Sequence, residues 1–289
     1  MKKQRKLWLL CFLFALTGCG GAEVTRSVPK AQEQAAAYIE EAHMMLEEAD
    51  SFAAEMEIEI SLLENGENTT QATVAMQKEP LEMQVESVTA FSDTEQETEM
   101  YLEEAEDAVN LYTNYNGSWT EMTMPADDAL QNLHIYNTLY NMEAIFSIAQ
   151  DWTMIEADDV YTVHGVIPGE HFHDVEEYTR FFQMAGMSGL SEVYFQNVED
   201  VPVEVTLSQK TGEPLSYAVD LTEALETVTN NVLTELNGGE DVGITVGTYR
   251  IASKLTQLGD MEEIELPAEA KETAVNYEKE ISRLKQSEE

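Results

Sequence analysis

Apolar and acidic residues alternate strictly in several short segments of the chain, and this alternation constrains the fold more than any other feature. In the first such segment Met56, Ile58 and Ile60 alternate with glutamates and a serine. Successive side chains of a β-strand point to opposite faces of a sheet, so the pattern predicts strands with one apolar face and one charged face. An antiparallel sheet with one covered side and one side in water is built from such strands.

Turn signals divide the alternating segments into hairpins. Residues 64–68 read Glu-Asn-Gly-Glu-Asn, and Asn116-Gly117 is the dipeptide most typical of a two-residue hairpin turn. The first six strands are therefore predicted to form a meander. They are predicted at residues 56–62, 69–76, 81–86, 99–103 and 108–115 and around Trp119. Later strands are predicted at residues 152–156, 160–167, 201–208, 214–221, 244–255 and 264–266.

Apolar residues at helical spacing predict an amphipathic helix at residues 31–49 and two helices, at 127–150 and 175–184, that are candidates to cover the sheet. Helices are also predicted at residues 222–236 and, as a charged helix, at 268–286. Three of them follow the sixth, eighth and tenth strands, and no linker rich in Pro, Gly or Ser divides the chain. We therefore expect one α+β domain over residues 31–289, with an antiparallel sheet of about eleven strands.

The N-terminus has the organisation of a lipoprotein signal peptide. Basic residues at the start are followed by an apolar run at residues 7–16, which is too short to cross a membrane as a helix. Leu16-Thr17-Gly18-Cys19 has the pattern of a bacterial lipobox, whose cysteine receives a diacylglyceryl group carrying chains such as palmitate. We predict a signal peptide at residues 1–18 and a lipidated tether at 19–30, anchored at the extracytoplasmic face of the cell membrane. An ordinary secretory peptide with an incidental cysteine is the alternative.

Acidic residues outnumber basic residues by 56 to 15, which gives a formal charge of -41 and a pI near 4.1. This charge has the wrong sign to neutralise phosphates, so nucleic acid is excluded as a partner. The charge would attract cations or basic peptides, although a solvated outer surface is the simpler explanation. Because Cys11 lies in the signal peptide and Cys19 is lipidated, no disulfide is expected.

Motifs that would indicate enzymatic chemistry are absent from the sequence. It contains no glycine-rich phosphate loop, nucleophile elbow, zincin helix or paired CxxC. His171 and His173, beside Glu170 and Asp174, could hold a divalent metal and support a hydrolase. We favour a polar loop in which Asp174 caps a helix that begins near Val175. No catalytic residue, metal or cofactor is therefore predicted.

The lipobox, the leading helix and several strand motifs together resemble a known group of proteins. The motifs are SFAAEMEIEISLLENGE, PLEMQVE, EMYL, NLYTNYNGSW, VPVEVTLSQKTGEPLSYAVDLT and EEIELPAEA. They are similar to an uncharacterised family of Gram-positive lipoproteins related to the LolA-like and mycobacterial lipid-carrier lipoproteins. The resemblance implies a strongly curved antiparallel half-barrel, closed by helices over a concave apolar face that can hold acyl chains. Extra length at residues 160–197 and 222–239 leaves open whether the helices fill that cavity.

Ten apolar side chains are predicted to line the concave face and bind a ligand. They are Met56, Ile58, Ile60, Val74, Met76, Leu81, Met83, Met100, Leu111 and Trp119. Methionine thioethers adapt to apolar ligands of varied shape, although they suit ordinary core packing equally well. The leading hypothesis is a monomeric, non-enzymatic lipoprotein that binds a lipid or lipidated peptide. The alternative is a structural or protein-interaction lipoprotein, whose half-barrel is filled by its own helices and whose acidic exterior meets a basic partner.

Overall fold

The computed structural model of the protein describes residues 28–62, 66–91, 94–157, 159–240, 243–261 and 263–277. The predicted signal peptide, Cys19 and residues 20–27 of the predicted tether lie outside the described residues. The first helix begins at Val28, so the last three residues of the predicted tether 19–30 are helical.

The described residues form twelve strands and six α-helices. The strands are β1 (Ser51–Leu62), β2 (Gly66–Gln77), β3 (Glu82–Phe91), β4 (Thr94–Ala105), β5 (Ala108–Tyr115), β6 (Ser118–Met124), β7 (Gln150–Ala157), β8 (Val160–Ile167), β9 (Val201–Ser208), β10 (Pro214–Asp220), β11 (Val246–Leu258) and β12 (Val275–Asn276). The helices are α1 (Val28–Glu48), α2 (Ala126–Leu133), α3 (Thr138–Ile148), α4 (Phe172–Thr179), α5 (Thr222–Leu236) and α6 (Ala268–Thr273). Short 3-10 turns occur at His134–Tyr136, Gly169–His171, Phe181–Ala185 and Glu192–Phe195.

β1 lies in the interior of a twelve-stranded sheet, where it pairs with both β2 and β11. The strand order is β12-β6-β5-β4-β3-β2-β1-β11-β10-β9-β8-β7. Neighbouring strands are antiparallel except β12 and β6, which are parallel. The first six strands form the predicted meander, and the predicted α+β class with an open antiparallel sheet covered by helices is confirmed.

The sheet has two chemically different sides. On β1, Met56 and Ile58 are buried in a hydrophobic core together with helical residues, and we call this the helix side. Glu55 and Glu57 on the same strand point to the opposite side, which we call the polar side. The antiparallel register extends this division across the neighbouring strands, because paired residues point to the same side.

The helices cover the helix side through contacts with the sheet and with each other. α1 packs against β7 and α3, α5 packs against β11, and α2 packs against β5. Buried hydrogen bonds fix α3: Thr138 Oγ1 lies 2.8 Å from Ser253 Oγ, and Asn141 Nδ2 donates to the Tyr217 hydroxyl at 3.2 Å. These polar contacts determine the position of α3 over β10 and β11.

Two predicted helices are shorter in the structure than in the sequence prediction. The helix predicted at 127–150 is interrupted at His134–Tyr136, after which Asn137 Oδ1 accepts a hydrogen bond from Tyr140 N and starts α3. The helix predicted at 175–184 ends as α4 at Thr179, because Arg180 adopts a left-handed conformation with φ of 55°.

The predictions for the C-terminal region are partly wrong. Residues 264–266 were expected as a strand, but Ile264 and Leu266 lie outside the strands and pack on a cluster at the polar side. The helix expected at 268–286 ends at Thr273 and is followed by the two-residue β12, while residues 278–286 lie outside the described part. Ile264 and Leu266 therefore pack their side chains on the face of the sheet and do not pair with a strand.

Glu176 in α4 has a buried carboxyl group, and only one of its two oxygens has a hydrogen-bond partner. Its side chain is buried, Oε2 accepts a hydrogen bond from Phe182 N at 3.0 Å, and Oε1 has no hydrogen-bond partner. Burial raises the pKa of Glu176 from its ordinary 4.5 to about 8. The folded protein therefore holds a proton between these two pH values that the unfolded chain releases.

We predict that Glu176 makes the free energy of unfolding decrease as pH rises from about 4.5 to about 8. At about 1.4 kcal/mol per pKa unit, the decrease is on the order of 5 kcal/mol. Glu176→Gln should flatten this dependence, measured by urea unfolding at several pH values. The exposed neighbour variant Glu177→Gln is the control. An unchanged pH dependence in Glu176→Gln would show that Glu176 is ionised in the folded protein.

Candidate functional site

Most of the predicted ligand-binding residues lie on the helix side of the sheet, where the chain covers them itself. Six of the ten are buried in the main hydrophobic core. These six are Met56, Ile58, Ile60, Val74, Met76 and Met83. Helical residues such as Leu46 of α1 and Met142 of α3 belong to the same core. The helices therefore occupy the surface that the sequence assigned to a ligand.

Three further predicted residues lie at the less covered end of the helix side. Leu81, Met100 and Leu111 are partly buried and pack against the edge of the core. Met122, which pairs with Leu111 across β5 and β6, is also only partly buried. This end of the sheet is the one place where the predicted apolar residues remain accessible.

Trp119 is a correction to the prediction, because it lies on the polar side. In register it is opposite Asn114, one residue out of phase with the Leu111–Met122 pair. It forms a separate buried cluster with Tyr101, Tyr112 and Ala270. β4, β5 and β6 thus carry apolar side chains on both sides, since the C-terminal segment covers part of their polar side.

Residues 263–277, which we call the C-terminal strap, lie along the polar side at one end of the sheet. Ala270 of α6 is completely buried in the aromatic cluster, and β12 pairs with the edge of β6. Lys271 Nζ lies 2.7 Å from Glu103 Oε1, and Asn276 Nδ2 donates to Glu121 Oε2 at 3.2 Å. The polar side therefore already binds one short segment through its carboxylates and aromatic rings.

A hollow of about 880 Å³ lies on the polar side beside the strap, and we call it the trough. Seven consecutive strands line it, from β4 through β3, β2, β1, β11 and β10 to β9, and its lining contains no helical residue. The hollow thus lies on the polar side of the sheet, opposite the side on which the cavity was expected.

Carboxylates are the most numerous charged groups in the lining of the trough. Six glutamates from four strands contribute to it, namely Glu55, Glu57, Glu86, Glu97, Glu99 and Glu204. The only positively charged lining residues are Arg250 and Lys254 of β11. Glu86 and Glu99 lie directly opposite each other in the register of β3 and β4, which places two like charges on neighbouring strands. Such a pair destabilises the sheet unless a cation lies close to it.

Five of the six glutamates fall on the charged side of predicted strands, and Glu97 lies just before the strand predicted at 99–103, but the trough itself was missed. Alternation identifies the charged side of a strand and says nothing about how the sheet bends. The strand order was also needed, because β11 brings its two cations beside β1 from almost 200 residues further along the chain.

The histidine cluster that the sequence singled out does not converge on one point. His171 Nδ1 lies 3.6 Å from Asp174 Oδ2, whereas the His173 ring packs against Phe195 at a centroid distance of 4.9 Å. Asp174 was expected to cap the helix, but α4 begins earlier, at Phe172, so Asp174 lies in its first turn. Within the described ranges no group of three or more His, Cys, Asp and Glu side chains is arranged to hold a metal.

Comparison with known proteins identifies the family. A family model described as "Family of unknown function (DUF6612)" matches residues 33–275. The chain belongs to this family. No curated protein sequence matches it significantly. None of the helices in the described part of this DUF6612 protein is long and apolar enough to cross a membrane.

Three solved structures are similar to this DUF6612 protein in fold. LprF from Mycobacterium bovis shares 11% identity with a TM-score of 0.47, covering 82% of this chain and 98% of that one. The Mycobacterium tuberculosis lipoprotein LppX shares 13% identity with a TM-score of 0.45, covering 81% and 99%. A lipoprotein-sorting protein domain from Vibrio parahaemolyticus shares 8% identity with a TM-score of 0.23, covering 81% and 95%. These are the kinds of protein that the sequence resemblance named.

We predict that Glu86→Gln stabilises the protein, because it removes one charge of the Glu86–Glu99 pair. Gln84 Nε2 donates to Glu86 Oε1 at 2.8 Å, and glutamine keeps that acceptor. The free energy of unfolding should rise by about 0.2–1 kcal/mol at low salt, and the gain should shrink in about 0.5 M NaCl. Urea unfolding measures both values. The exposed α1 variant Glu40→Gln is the control, and an equal gain there would attribute the effect to net charge alone.

Proposed function

We propose that this protein is an extracytoplasmic, membrane-anchored lipoprotein that binds a basic segment of a partner polypeptide in the trough. The observation that carries the proposal is a hollow of about 880 Å³ on the polar side, whose lining includes six carboxylates and two cations and contains no helical residue. Charge complementarity favours a cationic occupant, and the negative potential of the whole chain would accelerate its association. The function is binding and not catalysis.

The C-terminal strap supports this choice of ligand class. It is a short segment that places a lysine against a carboxylate of the polar side and small apolar residues against Tyr101, Tyr112 and Trp119. The strap packs against β4, and the same strand contributes Glu97 and Glu99 to the trough. A partner segment with basic and small apolar residues would make the same kinds of contact further along the sheet.

Anchoring through Cys19 completes the proposal. The signal peptide at residues 1–18 would be removed, and the diacylglyceryl group on Cys19 would hold the chain at the outer face of the membrane. A tether of about eight residues between Cys19 and α1 would span at most about 27 Å, so the domain would stay near the membrane surface. Its partner should therefore also be extracytoplasmic.

An apolar ligand is the second candidate function. It is favoured by Met100, Leu111 and Met122, which are only partly buried at the end of the helix side near α2. Methionine side chains adapt to ligands of varied shape, so an acyl chain could insert between α2 and these strands. The six predicted residues nearer the centre of the sheet are already covered, so the ligand would have to bind at this end.

The trough proposal predicts salt-sensitive binding of a basic peptide. Fluorescence anisotropy with labelled octalysine should show binding that weakens as NaCl is added, and octaglutamate should not bind. The double variant Glu86→Gln/Glu99→Gln should bind octalysine about three- to tenfold more weakly. The variant Glu40→Gln/Glu48→Gln on the exposed face of α1 carries the same charge change and should bind normally. Equal weakening in both double variants would refute a specific role for the trough.

The anchor and the second candidate are tested together by mass spectrometry of protein purified from bacterial membranes. The intact mass should correspond to a chain that begins at Cys19 and carries a diacylglyceryl group, and Cys19→Ala should abolish membrane attachment. Native mass spectrometry should show no further bound amphiphile. A non-covalent lipid that Met100→Asp removes would instead support the apolar ligand. A soluble chain that begins elsewhere would contradict the anchor.

A further inference from the structure

Two cations lie on β11 among the carboxylates of the trough. Arg250 and Lys254 are exposed on the polar side and contribute to its lining. Across the described part of the chain, Lys271 is the only lysine or arginine with a carboxylate oxygen within 4.0 Å. Arg250 and Lys254 are thus surrounded by acidic residues without forming an ion pair, which leaves both available to an anionic group.

Lys254 occupies one end of a row of side chains that crosses the sheet. The antiparallel registers place Lys254 opposite Glu55, Glu55 opposite Thr73, Thr73 opposite Glu86, and Glu86 opposite Glu99. All five residues line the trough. The row therefore has a positive end at β11 and its opposed pair of carboxylates at β3 and β4. With strands about 4.8 Å apart, the two ends are about 19 Å from each other.

We infer that the trough recognises the C-terminal end of a peptide that lies across the strands. Its terminal carboxylate would bind Lys254, and a lysine or arginine side chain near the other end would lie between Glu86 and Glu99. A distance of about 19 Å corresponds to about six residues of extended chain at about 3.3 Å per residue. This inference rests on the proposed function and adds the polarity and the length of the ligand.

A ligand with charges of both signs suits the trough better than a ligand whose charges all have the same sign. An anion alone would meet six glutamates, and an entirely cationic peptide would place positive charge against Lys254. The uncharged Thr73 in the middle of the row is compatible with uncharged residues between the two ends of the peptide. A basic residue about five positions before a free C-terminus satisfies both ends of the row at once.

The chain provides a matched control for Lys254. Arg250 lies on the same strand and points to the same side, but it is four residues away along β11, which corresponds to about 13 Å. Its register partner on β1 is Glu59, so it belongs to a different row of side chains. Lys254→Gln and Arg250→Gln therefore remove equal charge from the trough and differ in their position relative to the Glu86–Glu99 row.

The test uses two N-acetylated hexapeptides of sequence Lys-Ser-Ala-Ser-Ala-Ser, one with a free C-terminus and one amidated. Calorimetric titration of the purified mature protein should show that the free acid binds at least about threefold more tightly than the amide. Lys254→Gln should abolish this difference, whereas Arg250→Gln should retain it. Each variant is first compared with the wild-type protein by circular dichroism, since both positions are exposed and should not affect folding.

The possible failures are distinguishable. If both peptides bind equally and Glu86→Gln/Glu99→Gln weakens both, the trough binds basic segments and the inference about the carboxylate is wrong. If the amide binds more tightly, or if Lys254→Gln leaves the preference intact, the inference is also wrong. If neither hexapeptide nor octalysine binds, the proposed function fails together with it.

Discussion

The antiparallel pairing of β1 with β11 joins the two halves of the sheet, and the trough depends on it. The meander β1–β6 and the hairpins β7–β10 are separate in the chain, and β11 connects them by pairing with β1 on one side and β10 on the other. This pairing brings Glu55 and Glu57 of β1 beside Arg250 and Lys254 of β11. Without it, five of the six carboxylates of the trough would lie on a different sheet from the two cations.

The period of two along each strand explains how so acidic a chain can fold. Each buried apolar side chain of the helix side contributes about 1.5–3 kcal/mol, whereas an opposed pair of like charges on the polar side costs about 0.2–1 kcal/mol. The core beneath the helices contains residues from most strands, so burial outweighs the repulsion among the glutamates. The same alternation that stabilises the fold therefore collects uncompensated negative charge on one side.

Local pattern was enough to predict most elements but not the site. The alternation at Met56–Ile60 and the Asn116-Gly117 turn depend on neighbouring residues, and both predicted the observed hairpins. Trp119 was predicted on the wrong side of the sheet because β5 carries apolar residues on both of its sides. The apolar residues on the polar side of β5 are explained only by the strap that covers Tyr112. The trough requires the pairing of β1 with β11, which no single segment encodes. Similarly, nothing in the sequence around Lys271 predicts its contact with Glu103.

The strap and the trough are connected through a short hydrogen-bonded path. Gln84 Nε2 donates both to the Tyr101 hydroxyl at 3.1 Å and to Glu86 Oε1 at 2.8 Å. Burial raises the pKa of Tyr101, and the nearby charges of Glu86 and Glu99 raise it further. Tyr101 thus belongs to the aromatic cluster under the strap and is also sensitive to the charges of the trough. A cation bound between Glu86 and Glu99 would therefore be separated from the aromatic cluster under the strap by one hydrogen-bonded side chain, Gln84.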